Sequence, residues 1–432
     1  MRLQRGLAIL AGVVALACPL ALAVVILTTS VDVPYWDEWE WADLIYRSHM
    51  GTLQFADIWA QHNEHRLLFP QLIVLALDRF GGWSQTREQL VSLFFLVCTE
   101  LGLLAIIRRT LRGPVASIAV ILSCVFLFGL WQDENLSWGF QTAWFMCNAC
   151  VVGIVVLLSR PDRQSAGVGA AMLLGVVASY SSSQGLVAWV SGAVAIVLVP
   201  RTVMRTLVVW VCAGGVTYAV FKIGSVPATA GHISVLQHPL VVVQYMLAYF
   251  GSPLESMQGV PKSALCGAFV LAVVVVSFVA DLVRPERLLH LARRAPWYAL
   301  AAYPIVCAAG TAYGRGEYGV DQALASRYTS IGGLLWISAI VIACTYVSRL
   351  PVLTWRVRLA SVAAAVLVVF AARSEYWGWG AWQVFNARDV AARAAFVRSD
   401  ASALTTMYPD PGRERMLINE LKRIHDGVFS GS

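Results

Sequence analysis

Runs of about 20 apolar residues, parted by short polar breaks, fill most of the first 373 positions. Coiled at about 1.5 Å per residue, a run of that length matches the ~30 Å hydrocarbon core of a bilayer. The pattern predicts eleven membrane-crossing helices, near 7–27, 88–107, 114–131, 138–158, 166–181, 185–200, 206–222, 262–282, 296–313, 328–348 and 359–373. The fold class that follows is all-α, a polytopic transmembrane helical bundle, because open strand edges cannot sit in lipid. Two other apolar pieces fit less well as crossings. The first, 67–77, is short and interrupted by Pro70. The second, 239–253, would break the charge alternation described below. Both are expected as interfacial or re-entrant helices on the outer side, near 67–80 and 239–254, where they can line a cavity. The first run resembles a signal peptide, but the many runs behind it make it an uncleaved first helix.

Composition agrees with a membrane protein. Of 432 residues, 58% are hydrophobic and 13% charged, against roughly 25% charged in soluble domains. The net charge of +7 could suggest a nucleic-acid partner. The basic residues, however, fall in short clusters between apolar runs. Arg2/Arg5, Arg108/Arg109/Arg112, Arg160/Arg163, Arg201/Arg205, Arg284/Arg287/Arg293/Arg294 and Arg349/Arg356/Arg358 all land on one face when eleven crossings are drawn. They read as positive-inside topology signals with a cytoplasmic N-terminus, and no nucleic acid is expected. The nine cysteines are scattered. Cys147 and Cys150 form a C-x-x-C inside an apolar run, without the second pair that a zinc site needs.

The opposite face collects the unusual polar residues. The stretch Val31–Gln71 carries Asp37, Glu38, Glu40 and Asp43, then His62, Asn63, Glu64, His65 and Arg66. The same face holds Gln132–Asn135 with Trp138 and Gln141, then Tyr180–Gln184, His232 and His238. It also holds Gly314–Gly319 and Ala325–Tyr328. Such density near lipid marks a site. A transporter needs polar groups at mid-membrane, whereas an enzyme acting outside the cytoplasm needs them at one face. The expected division is a membrane domain over 1–373, with its first extracytoplasmic loop at 28–66, and a small extracytoplasmic helical tail over 374–432. The tail leaves the membrane at an aromatic belt, Tyr376–Trp379. Two amphipathic helices, 387–397 and 413–428, are then joined by Pro409–Gly412.

Asp37 and Glu38 are candidate catalytic carboxylates, able to deprotonate a hydroxyl or to hold a divalent ion such as Mg or Mn. The structural alternative is a D-x-x-E capping box of Asp37 with Glu40. Trp36 and Trp39 could stack on a sugar ring or sit at the interface. On a helix His62 and His65 would share a face, so Asp37, Glu38 and His65 could form a metal site. His62, Asn63, Glu64 and His65 could instead contact substrate or phosphate, or Asn63 could cap an interfacial helix. Arg66, Arg315 and Arg327, with Tyr328, are candidates for phosphate, whose geometry arginine matches bidentately. The alternative for Arg315 and Arg327 is a snorkelling anchor. Glycines 314, 316 and 319 suggest a tight backbone around Arg315. Gln141 and Gln184 are candidates for sugar hydroxyls.

Three motifs occur in order on one face: Trp36–Trp39, His62–Arg66 and Ser326–Tyr328. With the multi-span scaffold, they resemble the GT-C superfamily of membrane glycosyltransferases over roughly residues 1–350. The resemblance implies transfer of a sugar from a polyprenyl-phosphate donor to an extracytoplasmic envelope glycan or glycolipid, usually with inversion, in a bacterial inner membrane. Asp37 would correspond to the base, and the Arg315/Arg327 region would hold the lipid phosphate. The helices near 67–80 and 239–254 would shape the lipid groove. The short tail departs from members with a large C-terminal domain. Alternatives are a lipid-linked oligosaccharide transporter, or a polysaccharide polymerase or ligase component.

Overall fold

A helix covers the body of every one of the eleven apolar runs in the computed structural model, which describes residues 2–160, 164–199, 204–226, 233–255, 259–398 and 407–429. His232, Arg163 and Arg201 lie outside the described residues. The first part of the chain contains α1 (Arg2–Thr29), α2 (Trp39–His49), α3 (Phe55–Trp59) and a hairpin of β1 (Gln61–His62) and β2 (His65–Arg66). Then come α4 (Leu68–Gly81), α5 (Gln85–Thr110), α6 (Pro114–Phe128), α7 (Asp133–Ser137) and α8 (Thr142–Leu158). The middle is α9 (Gln164–Ser179), α10 (Ala188–Leu198), α11 (Met204–Lys222), α12 (Pro239–Glu255) and α13 (Val260–Val283). The chain ends with α14 (Arg287–Arg315), α15 (Thr329–Val347), α16 (Leu353–Val397) and α17 (Pro411–Ile424).

Among the described residues, eight helical stretches are long and apolar enough to cross a membrane. Their outward faces are apolar: Ile9, Val13, Leu16 and Leu20 on α1, and Leu265, Phe269 and Val276 on α13, are all exposed. Ridges of that size facing water would be an aggregation hazard, and facing lipid they are the normal solution. The chain is a multi-pass helical membrane protein. Its centre is α15, packed among α6, α12, α13 and α14, with Ile331, Leu334, Ile337, Val341 and Ile342 fully buried.

Close helix contacts depend on glycine. A Cβ at Gly251 of α12 would lie 1.7 Å from the Ser263 carbonyl oxygen of α13, and one at Gly267 would lie 1.8 Å from that of Leu247. Small residues on both sides let the two backbones touch. One side of α12 is therefore inside the bundle, with Tyr245, Ala248, Tyr249 and Phe250 buried, while Leu240 and Val243 are exposed.

Three local expectations change. Pro70 does not interrupt its apolar run: it sits in the first turn of α4, where a missing N–H leaves no helical bond unmade. Arg294 is not a solvated topology charge. It is buried and donates to both oxygens of buried Asp281 at 2.6 Å. Tyr298 Oη donates to the same carboxylate at 2.8 Å and Thr345 Oγ1 accepts from Arg294 Nε at 2.6 Å, so the ion pair is held by partners on three helices. Finally, α16 runs unbroken past Ser374, so the division expected at 373/374 falls inside a helix that also contains 387–397.

The tail folds back on the first loop. Arg413 of α17 donates to Glu40 Oε2 at 2.9 Å, and Tyr408 Oη donates to Glu40 Oε1. Burial acts to raise the Glu40 carboxyl, but Arg413 and Tyr408 outweigh it and hold the group below its ordinary range. The Trp83 N–H donates to Asp426 at 2.9 Å. These contacts place Tyr408 and Pro409 over the end of the bundle where the loop residues gather.

Candidate active site

A cavity of about 750 Å³ opens at that end. The first loop, the turns before α8 and α10, the α14–α15 connection and the tail build its wall. The first loop contributes Trp36, Asp37, Asn63, Glu64 and His65. The turns before α8 and α10 contribute Trp138, Phe140, Gln141, Ser183 and Gln184. The end of α14 brings Thr311, Tyr313 and Arg315, and the turn that starts α15 brings Arg327 and Tyr328. Ten of the residues singled out from sequence therefore share one wall: Trp36, Asp37, Asn63, Glu64, His65, Gln141, Gln184, Arg315, Arg327 and Tyr328.

Asp37 sits on a 3-10 turn, Trp36–Glu38. Trp36 just before it has φ +49°, a left-handed conformation that a bulky side chain rarely takes. That backbone is held from both sides. The Tyr35 N–H donates to Glu38 Oε2 at 3.0 Å, and the Phe140 N–H donates to Glu38 Oε1 at 2.9 Å. Glu38 is thus buried and fully engaged, and with Tyr35 it caps the turn two residues earlier than the Asp37–Glu40 box considered from sequence. Burial first, and the nearby Glu88 carboxyl next, push Glu38 well above the ordinary carboxylate range. Glu38 is a clamp behind the site, whereas Asp37 faces the cavity. His62 Nε2 stands 3.4 Å from Asp37 Oδ2, and the His62 ring leans on Phe140 at 5.4 Å. His62 does not line the cavity; it supports Asp37 from behind.

The His62–Arg66 stretch is a hairpin and not a helix. Asn63 supplies the turn with φ +50°, which asparagine tolerates, and His62 pairs directly with His65. The two histidines end up side by side as expected, by cross-strand register in place of helical spacing. The Ser183 N–H donates to His65 Nδ1 at 3.2 Å, so Nδ1 is an acceptor and the ring proton is on Nε2. Burial holds the His65 ring below its ordinary range, against the pull of Glu64. Glu64 accepts from Arg315 Nη2 at 2.8 Å. Burial acts to raise Glu64, but His65 and then Arg315 outweigh it and hold its carboxyl at about 2. Arg327 Nη1 donates to Glu134 Oε1 at 2.6 Å. Each cavity arginine is therefore aimed by one carboxylate.

Two expected site residues are used elsewhere. Arg66 is buried and donates to the carbonyls of Phe221 (2.8 Å), Ile223 and Trp59. Two of these lie at the C-terminal end of α11, where a cation satisfies orphan carbonyls and the helix dipole. Its fork is spent, so it is no phosphate ligand. Trp39 is fully buried against Phe396 at 5.6 Å and cannot stack on a ligand. Asp37, Glu38 and His65 do not converge as a metal ligand set, because Glu38 is turned onto two backbone N–H groups. Of the three glycines around Arg315, only Gly319 needs its freedom (φ +93°), and Gly316 meets Ile233 closely, while Gly314 has open space in the helix.

Trp138 was expected on this face, but its stacking partner Phe140 was not picked out from sequence. Trp138 and Phe140 stack at 5.3 Å, and Phe140 stacks in turn on Trp41 at 5.1 Å. Trp138 and Gln141 line the cavity, and their buried Nε1 and Oε1 atoms have no hydrogen-bond partner among the described residues. A buried donor and acceptor left open beside an aromatic face fit a ligand rich in hydroxyls. Tyr408 and Pro409 arrive from the tail, and no local pattern marks them.

No protein-family model and no curated protein matches the chain. Among solved structures it is similar to an oligosaccharyltransferase from Archaeoglobus fulgidus, a crystal structure tethered with an acceptor peptide. There the TM-score is 0.44 and the identity 11%, over 84% of this chain and 55% of that one. The chain thus spans little more than half the length of that protein. It is also similar to ArnT from Cupriavidus metallidurans, a crystal structure bound to undecaprenyl phosphate. The TM-score is 0.43 and the identity 12%, over 96% of this chain and 78% of that one.

Proposed function

We propose that the chain is an integral membrane glycosyltransferase that moves a sugar from a polyprenyl-phosphate donor to an envelope glycan or glycolipid outside the cytoplasm. One observation carries this reading: Asp37 from the first loop and Arg315 and Arg327 from the α14–α15 connection, remote in sequence, line one cavity with Trp138 and Gln141, whose Nε1 and Oε1 have no partner among the described residues. The GT-C resemblance of the same motifs points the same way. At about 750 Å³ the cavity has the size of a ligand site and suits a glycosyl phosphate head.

In this reading Asp37 takes the proton from the acceptor hydroxyl as the oxygen attacks the anomeric carbon. Its carboxylate is held by the Trp36–Glu38 turn and by His62. As the bond from the anomeric carbon to the phosphate oxygen breaks, negative charge grows on the lipid phosphate. Arg315 and Arg327 take up that charge, already aimed by Glu64 and Glu134 so that little reorganisation is needed. Trp36, Trp138, Gln141 and Gln184 hold the sugars by stacking and hydroxyl contacts. The basic clusters support a cytoplasmic N-terminus and, with it, a cavity on the outer side.

The experiment is a panel of radiolabelled polyprenyl-phosphate sugars offered to the purified protein with membrane extract. The wild type is expected to move label to a new product from at least one donor. Arg327→Ala is expected to weaken donor binding by about tenfold or more while leaving the protein folded, the loss of a charge-assisted contact. Donor binding unchanged in Arg327→Ala would remove that residue from the phosphate site. No transfer from any donor, with lipid-sugar binding intact, would favour a transporter or binding component.

A further inference from the structure

A second cluster lies apart from the cavity, where the tail meets the first loop. His49 ends α2, Asp78 sits near the end of α4, and Asp426 follows α17. Their ligand atoms all lie within 4.8 Å of one another. His49 Nε2 is 3.1 Å from Asp78 Oδ2 and 3.9 Å from Asp426 Oδ2. Asp426 Oδ1 accepts the N–H groups of Trp83 (2.9 Å) and Gly427 (2.7 Å), which fixes the carboxylate. Its other oxygen, Oδ2, is buried on a side chain only 7% exposed, faces the cluster and, among the described residues, has no hydrogen-bond donor beyond the Asp78 carboxyl beside it.

Two buried carboxylates side by side are unfavourable unless a cation or a shared proton lies between them. An imidazole and two carboxylates from three segments are a mixed nitrogen–oxygen set of the kind that holds a divalent transition ion. Ligand bonds of about 2.0–2.2 Å would draw the three atoms to roughly 3.4 Å apart, a shift within side-chain reach. His49 is 40% exposed, which leaves an entry path and a coordination position for water.

We propose that His49, Asp78 and Asp426 bind a divalent transition ion such as Zn²⁺, which pins the C-terminal tail to the first loop. The three residues come from three separate segments, α2, α4 and the end of the tail, so the ion acts as a clip beside the Arg413–Glu40 and Asp426–Trp83 contacts. It holds the segment that brings Tyr408 and Pro409 over the cavity.

The test uses the full-length protein in detergent, stripped with EDTA and titrated with ZnCl₂, with MgCl₂ as control. The wild type is expected to bind one Zn²⁺ at this site, to gain thermal stability from it, and to become resistant to proteolysis in the tail. His49→Ala and Asp426→Asn are each expected to weaken binding by at least about tenfold. His49 lies at the rim, so His49→Ala keeps the Asp426–Trp83 contact and separates ion loss from tail loss. A wild type without Zn²⁺ binding, or variants that bind Zn²⁺ as tightly as the wild type, would overturn the proposal and leave a shared proton between the two aspartates in its place.

Discussion

At the residue scale, the first loop shows how neighbours of the same type divide their roles. Asp37 and Glu38 read alike in sequence, because carboxylates at adjacent positions give no sign of direction. The structure separates them by the left-handed turn at Trp36, which sends one carboxyl to the cavity and the other onto two backbone N–H groups. Arg66 and Arg315 are a similar pair. Both belong to polar motifs, yet one caps a helix end and the other lines the site. What a buried arginine bonds depends on carbonyls 155 residues away, and no local pattern carries that. Glu64 gives a pH prediction. Its carboxyl is held at about 2 in the folded chain, below the ordinary 4.5. A depressed carboxyl stabilises the fold above its unfolded value and loses that contribution as pH falls through the folded one. Thermal stability of the wild type should therefore drop relative to Glu64→Gln as pH falls from about 4.5 towards 2. Parallel curves for the two proteins over that range would contradict the Glu64–Arg315 link.

At the element scale, the helices were legible because apolar runs of bilayer length have few other solutions. The hairpin was not. Polar residues at positions 62–66 fit helical spacing and cross-strand pairing equally well, and the left-handed Asn63 decides between them. The tail boundary was also hidden. An aromatic belt marks a headgroup level, but a helix can pass through that level without a break, as α16 does. The α12–α13 contact yields a test by substitution. Gly267→Ala puts a methyl group against a backbone carbonyl that cannot step aside. It should destabilise the protein by about 1–3 kcal/mol, the usual range for overpacking. Gly12→Ala in α1 meets nothing within 4 Å and should be neutral or slightly stabilising, since alanine favours a helix. Thermal melts of the two variants in the same detergent check the contrast. Equal effects would mean the helices are not in backbone contact.

At the scale of the whole molecule, one end of the bundle gathers an acid, two aimed arginines and an aromatic wall, and the tail closes over it. The gathering of polar stretches on one face could be foreseen from charge alternation. The clasp of α17 on α2 through Glu40 and Arg413 could not, since it joins positions 40 and 413 by long-range packing alone. The proposed role of Asp37 as the base in sugar transfer is tested by label transfer with Asp37→Asn beside the wild type, with donor binding measured on both. Transfer is expected to fall by about 10²-fold or more, with donor binding and thermal stability retained. Near-normal transfer by a folded Asp37→Asn protein would contradict that role.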